Sequence, residues 1–143
     1  MDERSTDREL VAAFDDLIEA THEASQAAWI APRGPSRDAL EALVAFLREE
    51  VARLADAEAA IFGRSPDMVS PSEQTSRNLV ADAHDIPAAV IPLLIERVEA
   101  VVGHLRTRAT RIEDSSIAKI LRDIADGLQT HIEVLASADG LRE

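Results

Sequence analysis

Four titratable residues interrupt helical stripes that are otherwise apolar. They are His22, Glu58, His84 and His131. Glu58, for example, follows Leu54 by four residues and precedes Ile61 by three, which are spacings of a single helix face. A buried carboxylate without a partner is costly, and a neutral imidazole also needs hydrogen bonds. Because imidazole and carboxylate ligands suit iron, manganese or zinc, the pattern predicts one shared metal site.

Each of these residues also has an ordinary structural interpretation. An inward histidine is more often a core residue that bonds to a neighbour, and Glu58 lies about one turn from the end of its helix. The coincidence of one such residue per helix favours a shared site. His104, the remaining histidine, is 20 residues from His84 and therefore predicted on another, exposed face. Gly127 and Ala88 leave space beside the inward histidines, either for close helix packing or for a ligand.

Apolar periodicity predicts four helices that must position these residues. The first, second and fourth helices are predicted at residues 7–30, 37–62 and 116–137. The third is predicted to begin near residue 71 and to end between residues 106 and 111. Thr6 and Glu9 form a predicted capping box for the first helix, and Ser36 is the predicted N-cap of the second. Pro87 and Pro92 predict kinks in the third.

The predicted inward faces include Val11 and Trp29 on the first helix and Ile61 on the second. The third helix is apolar on more than one face, which indicates either a wide buried surface or a homodimer contact. Short connections between amphipathic helices are typical of an all-α, antiparallel up-down-up-down four-helix bundle. Residues 1–143 are predicted to form a single domain.

The composition excludes several classes of function. The chain has no Cys, so disulfide scaffolds, thiolate metal sites and cysteine nucleophiles are absent. A net charge of −12 without a basic stripe disfavours nucleic acid and anionic membranes as partners. We expect no transmembrane helix, and the charged MDERSTDREL segment carries no signal-peptide core, so the expected location is the cytoplasm.

Three segments of the sequence resemble the hemerythrin-like, HHE cation-binding family. They are ALVAFLREEVARLADAEAAIFG, HDIPAAVIPLLIERV and LQTHIEVL, which are similar to the second, third and fourth helices of that family. The resemblance implies a four-helix bundle with a carboxylate-bridged di-iron site that binds dioxygen or reacts with peroxide or nitric oxide. In this chain His22, His84 and His131 match histidine ligands of the iron, and Glu58 matches the bridging carboxylate.

The ligand set implied by the resemblance is incomplete. Leu54 replaces a second-helix histidine, Val80 or Ala88 a third-helix histidine, and Leu135 a fourth-helix carboxylate, so four of the usual seven positions remain. These departures leave three alternatives, which are a mononuclear iron site, an altered iron site, or a relic of the family's site that holds no metal. For His22 and Glu58 to lie at one depth, the first turn must centre near residue 40, whereas the pattern places it near 34. For the other two histidines the turn must centre near 107, whereas the pattern places it near 111.

The sequence therefore predicts a hemerythrin-like iron protein that handles or senses dioxygen, peroxide or nitric oxide. The alternative is a metal-free bundle that binds another protein or a small molecule. An enzyme that uses buried His and Glu as acid–base groups is a third hypothesis, for which no residue names a substrate.

Overall fold

The protein is almost entirely helical. The structure, a computed structural model, describes residues 3–62, 79–84 and 86–140. Within these ranges it contains no β-strand and five helices: α1 (Glu3–Ile30), α2 (Pro35–Phe62), the single turn α3 (Leu79–Asp82), α4 (Pro87–Arg111) and α5 (Ser115–Ala138). The predicted all-α four-helix bundle, built from the four long helices, is confirmed.

The ends of α2 and α5 follow from local chemistry. Gly34 has a φ of +151°, which glycine tolerates best, and it is followed by Pro35 at the start of α2. Ser36 is not the N-cap that the sequence predicted, since its hydroxyl donates to Asp139 Oδ1 at 3.1 Å and so ties α2 to the end of α5. Asp114 caps α5 by accepting from the backbone N–H groups of Ser116 and Ile117.

The first helix begins earlier than predicted. It starts at Glu3, a turn before the capping box expected from Thr6 and Glu9. The Glu9 carboxylate instead accepts a hydrogen bond from Arg108 Nη1 at 2.9 Å. A tertiary ion pair therefore takes the place of the predicted cap at this position.

The predicted third helix is broken rather than kinked. The chain leaves α3 after Asp82 and enters α4 at Pro87, while the earlier part of the prediction, residues 71–78, lies outside the described residues. Ile86 is extended, with φ −96° and ψ 106°, because a residue before proline is disfavoured in the helical region. Pro92 is accommodated inside α4.

Contacts along the helices establish their directions. α1 runs antiparallel to α4, since Glu9 pairs with Arg108 and Glu23 pairs with Arg97. α2 runs antiparallel to α5, since Arg53 pairs with Asp123 while the start of α2 bonds to the end of α5. Each long helix packs on two neighbours, in the ring order α1, α2, α5, α4.

The order of directions along the chain differs from the expected one. The third long helix runs parallel to the second, so the bundle is up-down-down-up rather than up-down-up-down. The backbone N–H of Leu79 donates to Gln26 Oε1 at 2.8 Å, which places α3 at the opposite end of the bundle from the end of α2. Sixteen residues, 63–78, can span roughly 50 Å when fully extended. This is more than the length of a 28-residue helix, which is about 42 Å, so the connection is long enough to return to the other end of the bundle.

The core is aliphatic, and small residues form much of it. The α5 face predicted from Ile117, Leu121, Ile124, Leu128 and Leu135 is fully buried. The predicted faces of α1 and α2 are partly wrong, because Val11, Trp29 and Ile61 are 43%, 84% and 41% exposed. The buried stripe of α1 contains four alanines, whose small size lets neighbouring helices approach. They are Ala13, Ala20, Ala24 and Ala27.

The second apolar face of the third long helix, α4, is buried within the bundle. Ile95 and Val102 are buried, and Leu93 is half-buried. Of the two interpretations of this face, a wide buried surface is therefore the one observed. No helix among the described residues has the length and apolarity needed to cross a bilayer.

Candidate functional site

The predicted metal ligand of α1 lies on the side that faces α2. His22 is half-buried and lines a cavity that also includes Arg48 and Val51. Its Nε2 accepts a hydrogen bond of 3.0 Å from the Gln26 side-chain amide. A side-chain amide nitrogen can only donate, so the imidazole nitrogen is the acceptor in this contact.

Glu58 is buried but lies at a different depth from His22. Only 3% of its surface is exposed. It is seven residues further along α2 than Val51, which is roughly 10 Å at 1.5 Å per residue. The first turn is centred within residues 31–34, as the sequence indicated, and that position keeps the two side chains apart.

The remaining two predicted ligands are also separated. His84 was expected in a helical seam, but it is exposed in the turn between α3 and α4 with a φ of +56°. His131 is half-buried on α5, and its ring packs against Phe46 of α2 with 4.7 Å between centroids. Burial lowers the pKa of His131 below its ordinary value of 6.5.

The structure does not group the four residues around one position. Across residues 3–62, 79–84 and 86–140, no three His, Asp or Glu side chains are grouped so that they could hold one. The space predicted beside Gly127 is filled, because a Cβ added there would lie 2.3 Å from Phe46 Cζ. Gly127 therefore serves close packing of α2 on α5, and Ala88 is exposed.

A different group of titratable side chains surrounds a cavity between α1 and α4. The cavity has a volume of about 310 Å³. Its polar residues are Asp16, Glu19 and Glu23 of α1 and Glu96, Arg97 and His104 of α4. Its apolar residues are Ala20, Leu93, Leu94, Val98, Ala100 and Val101. We call this the α1–α4 cavity; it combines an aliphatic wall with four carboxylates.

Arg97 closes one end of the α1–α4 cavity. Its Nη1 donates to Glu23 Oε2 at 2.5 Å, and its Nη2 donates to Asp82 Oδ2 at 2.6 Å. Burial disfavours the charged guanidinium, but the hydrogen bonds to Glu23 and Asp82 outweigh it and raise the pKa of Arg97. The charge of Arg97 is thus committed to two carboxylates, and the residue joins α1, α3 and α4.

Asp16 lies at the other end, with an oxygen that lacks a donor. Its Oδ2 is 3.6 Å from Arg108 Nη2 and 3.7 Å from His104 Nδ1, both too long for hydrogen bonds. This oxygen is buried and has no hydrogen-bond partner within the described chain. Burial raises the pKa of Asp16 although Arg108 and His104 oppose the shift. A buried oxygen of this kind, on a residue that lines a cavity, calls for a donor from a ligand or from water.

Sequence reasoning missed this site. His104 was interpreted as a surface residue, and its side chain is indeed 60% exposed, yet it lines the cavity beside Asp16. A signal was present in the spacing: Asp16, Glu19 and Glu23 form an acidic stripe at helical intervals. Arg97, His104 and Arg108 lie on α4 at helical intervals too, but only the register between the two helices shows that these residues meet the acidic stripe.

Comparison with known proteins does not add a family to these observations. The chain matches no model of a protein family, and no curated protein matches it. The resemblance to hemerythrin-like proteins therefore stays a prediction, and any function has to be argued from the cavity itself.

Proposed function

We propose that this protein is a helical bundle that works without a metal and binds a small organic cation, such as an aliphatic or alicyclic amine, in the α1–α4 cavity. The observation that carries the proposal is the buried Asp16 Oδ2, which has no donor among the described residues. An ammonium N–H group would supply that donor.

The charge of the lining favours a cation. Four carboxylates, those of Asp16, Glu19, Glu23 and Glu96, line the cavity. Arg97 is the guanidinium of the lining and already bridges Glu23 and Asp82, and Arg108 lies 3.6 Å from Asp16 Oδ2. The whole chain carries a net charge of −12, which also favours cations as ligands. A cleft of one charge sign with low-dielectric walls concentrates ligands of the opposite sign.

The apolar wall favours an organic cation over a hydrated metal ion. Ala20, Leu94 and Val98 line the cavity, and contact with them stabilises only a ligand that has hydrocarbon to bury. A volume of about 310 Å³ is at the lower end of the range for small-molecule sites. The described residues also offer no group of three metal ligands. These features together support a compact amine.

The chain's own residues would divide the task of binding. Asp16 accepts the N–H group and fixes the polar end of the ligand. Val98 and Val101 contact its hydrocarbon. Arg97 does not touch the ligand's charge; it holds α1 and α4 at the spacing that the cavity needs through its bonds to Glu23 and Asp82.

Calorimetric titration with cyclohexylamine tests the proposal. Cyclohexanol has the same shape without the charge, and cyclohexanecarboxylate reverses the charge. We expect saturable binding of the amine alone, at about millimolar affinity, which corresponds to about −4 kcal/mol. Asp16→Asn should abolish it, whereas Asp56→Asn, the same change at an exposed position of α2, should not. Equal binding of the amine to both variants would reject Asp16 as the cation's partner.

The iron centre implied by the resemblance is tested separately. His22, Glu58, His84 and His131 are spread over different depths and faces, so the geometry lends it no support. Iron and other transition metals can be measured in untagged protein expressed in iron-supplemented medium. Equimolar iron that is lost in a His131→Ala variant would favour the hemerythrin-like hypothesis over ours.

A further inference from the structure

The second surface of interest lies on the opposite side of α1, against α2. Trp29, the only tryptophan of the chain, is 84% exposed there. Together with Ala28 it lines a groove whose other wall includes Val44 and Ala45 of α2. A large aromatic side chain so exposed, beside a groove with apolar residues on both walls, is typical of a protein-binding surface.

The groove extends along three turns of helix. Two adjoining depressions of about 300 and 330 Å³ share Ser25 and Arg48 and together form what we call the α1–α2 groove. It runs from Trp29 to Ile18, a rise of roughly 16 Å along α1. A groove of this length accommodates about three turns of a docked helix, with its apolar side chains facing the groove.

The charge of the groove differs from that of the chain as a whole. The groove's charged residues are Arg37, Glu41 and Arg48, within a chain of net charge −12. Arg37 Nε bonds to Glu41 Oε1 at 3.1 Å, which balances that pair. Arg48 is exposed and forms no ion pair with any residue that the structure describes. The groove therefore presents a positive charge at its centre.

We infer that the α1–α2 groove docks an amphipathic α-helix of a partner protein that carries acidic residues on its polar face. Apolar side chains of the partner helix would pack between Val44 and Ala28, with Trp29 as the anchor. An acidic side chain would pair with Arg48. A second copy of this chain is a poorer occupant, because a two-fold interface through this groove would place Arg48 near its own equivalent.

The probes are designed helical peptides without tryptophan or tyrosine. Because the protein has one tryptophan and no tyrosine, its fluorescence reports on Trp29 alone. Three stapled three-turn peptides are compared: leucine anchors with a glutamate face, the same anchors with a lysine face, and alanine anchors with the glutamate face. We expect a blue shift of Trp29 emission and saturable binding with the first peptide only.

Variants separate docking from general stickiness. Binding of the fluorescein-labelled glutamate peptide, followed by anisotropy, should weaken more than about 10-fold in Trp29→Ala, as for interface anchors in general. Arg48→Glu should weaken it and bring the lysine peptide to the groove. Val134→Ala, which alters another exposed apolar residue on α5, should leave binding unchanged.

Three results would overturn the inference. One is that the glutamate peptide neither shifts Trp29 emission nor binds. Another is that the lysine peptide binds the unmodified protein equally well. The third is a Trp29 emission that turns blue with protein concentration alone, accompanied by a dimer in sedimentation, since a second copy would then occupy the groove. Neither the probes nor the variants involve Asp16, so failure here leaves the cation proposal standing.

Discussion

Gly127→Ala probes the packing of Phe46, on α2, against α5. A Cβ at this position would lie 2.3 Å from Phe46 Cζ and 2.8 Å from Cε2, so the ring must move. The ring cannot retreat freely because it packs on His131 at 4.7 Å between centroids. Alanine favours the helix by about 1 kcal/mol over glycine, whereas overpacking of this kind costs about 1–3 kcal/mol. The expected net effect is a destabilisation of about 0–2 kcal/mol.

A matched glycine supplies the control for this prediction. Gly103 lies in α4 with nothing within 4 Å of its would-be Cβ, so Gly103→Ala should stabilise the fold by about 1 kcal/mol. Urea and thermal unfolding followed by far-ultraviolet circular dichroism measure both changes. For a domain of this size, 1 kcal/mol corresponds to a Tm shift of about 2–4 °C.

A double-mutant cycle tests whether Phe46 causes the destabilisation expected from Gly127→Ala. In a Phe46→Leu background the ring is gone, and Gly127→Ala should stabilise the protein as Gly103→Ala does. The coupling energy between positions 46 and 127 should be about 1–3 kcal/mol. The reasoning would be refuted if Gly127→Ala stabilised the unmodified protein as much as Gly103→Ala does.

Three further predictions follow from the titratable groups. Because burial lowers the pKa of His131 below 6.5, the unfolded chain takes up its proton first, so stability should fall as pH drops below about 6.5. Tm measured from neutral to mildly acidic pH should show a smaller loss in His131→Phe; an identical loss would contradict the assignment. Arg97→Met should lower the free energy of unfolding, measured by urea titration, by about 3 kcal/mol, because the buried Glu23 carboxylate loses its guanidinium. Adding Glu23→Gln to that variant should recover part of the lost stability. The affinity for cyclohexylamine should fall as pH is lowered. Burial raises the pKa of Asp16, and protonation of this carboxylate removes the charge that the amine requires. An affinity that stays constant in calorimetry at several pH values would disprove this prediction.

The sequence predicted the fold best where large apolar residues repeat regularly. On α2 and α5 the observed ends lie within two residues of the predicted ones, at Pro35, Phe62, Ser115 and Ala138. On α1 the alanines that form the buried stripe are common on any helix face, so the larger Val11 and Trp29 were wrongly assigned to the core. A proline such as Pro87 is compatible with either a kink or a break of the helix, and only tertiary packing decides between the two.

The directions of the helices and the candidate site needed information that no local pattern holds. A connection as long as residues 63–78 allows the next helix to start at either end of the bundle. The seam positions of His22 and Glu58 were identified, but shared polarity does not bring residues together when the turn fixes them at different depths. Asp16 and His104 become neighbours only through the antiparallel register of α1 and α4.

The most direct test of the cation site is a titration of ¹⁵N- and methyl-labelled protein with cyclohexylamine, followed by nuclear magnetic resonance. We expect saturable shifts confined to the α1–α4 cavity, at the amide of Ala20 and the methyl groups of Val98 and Val101, which vanish in Asp16→Asn. The exposed Val134 on α5 serves as the internal reference. Shifts that are absent, spread over the surface, or reproduced by cyclohexanol would contradict the proposal that this cavity binds an organic cation.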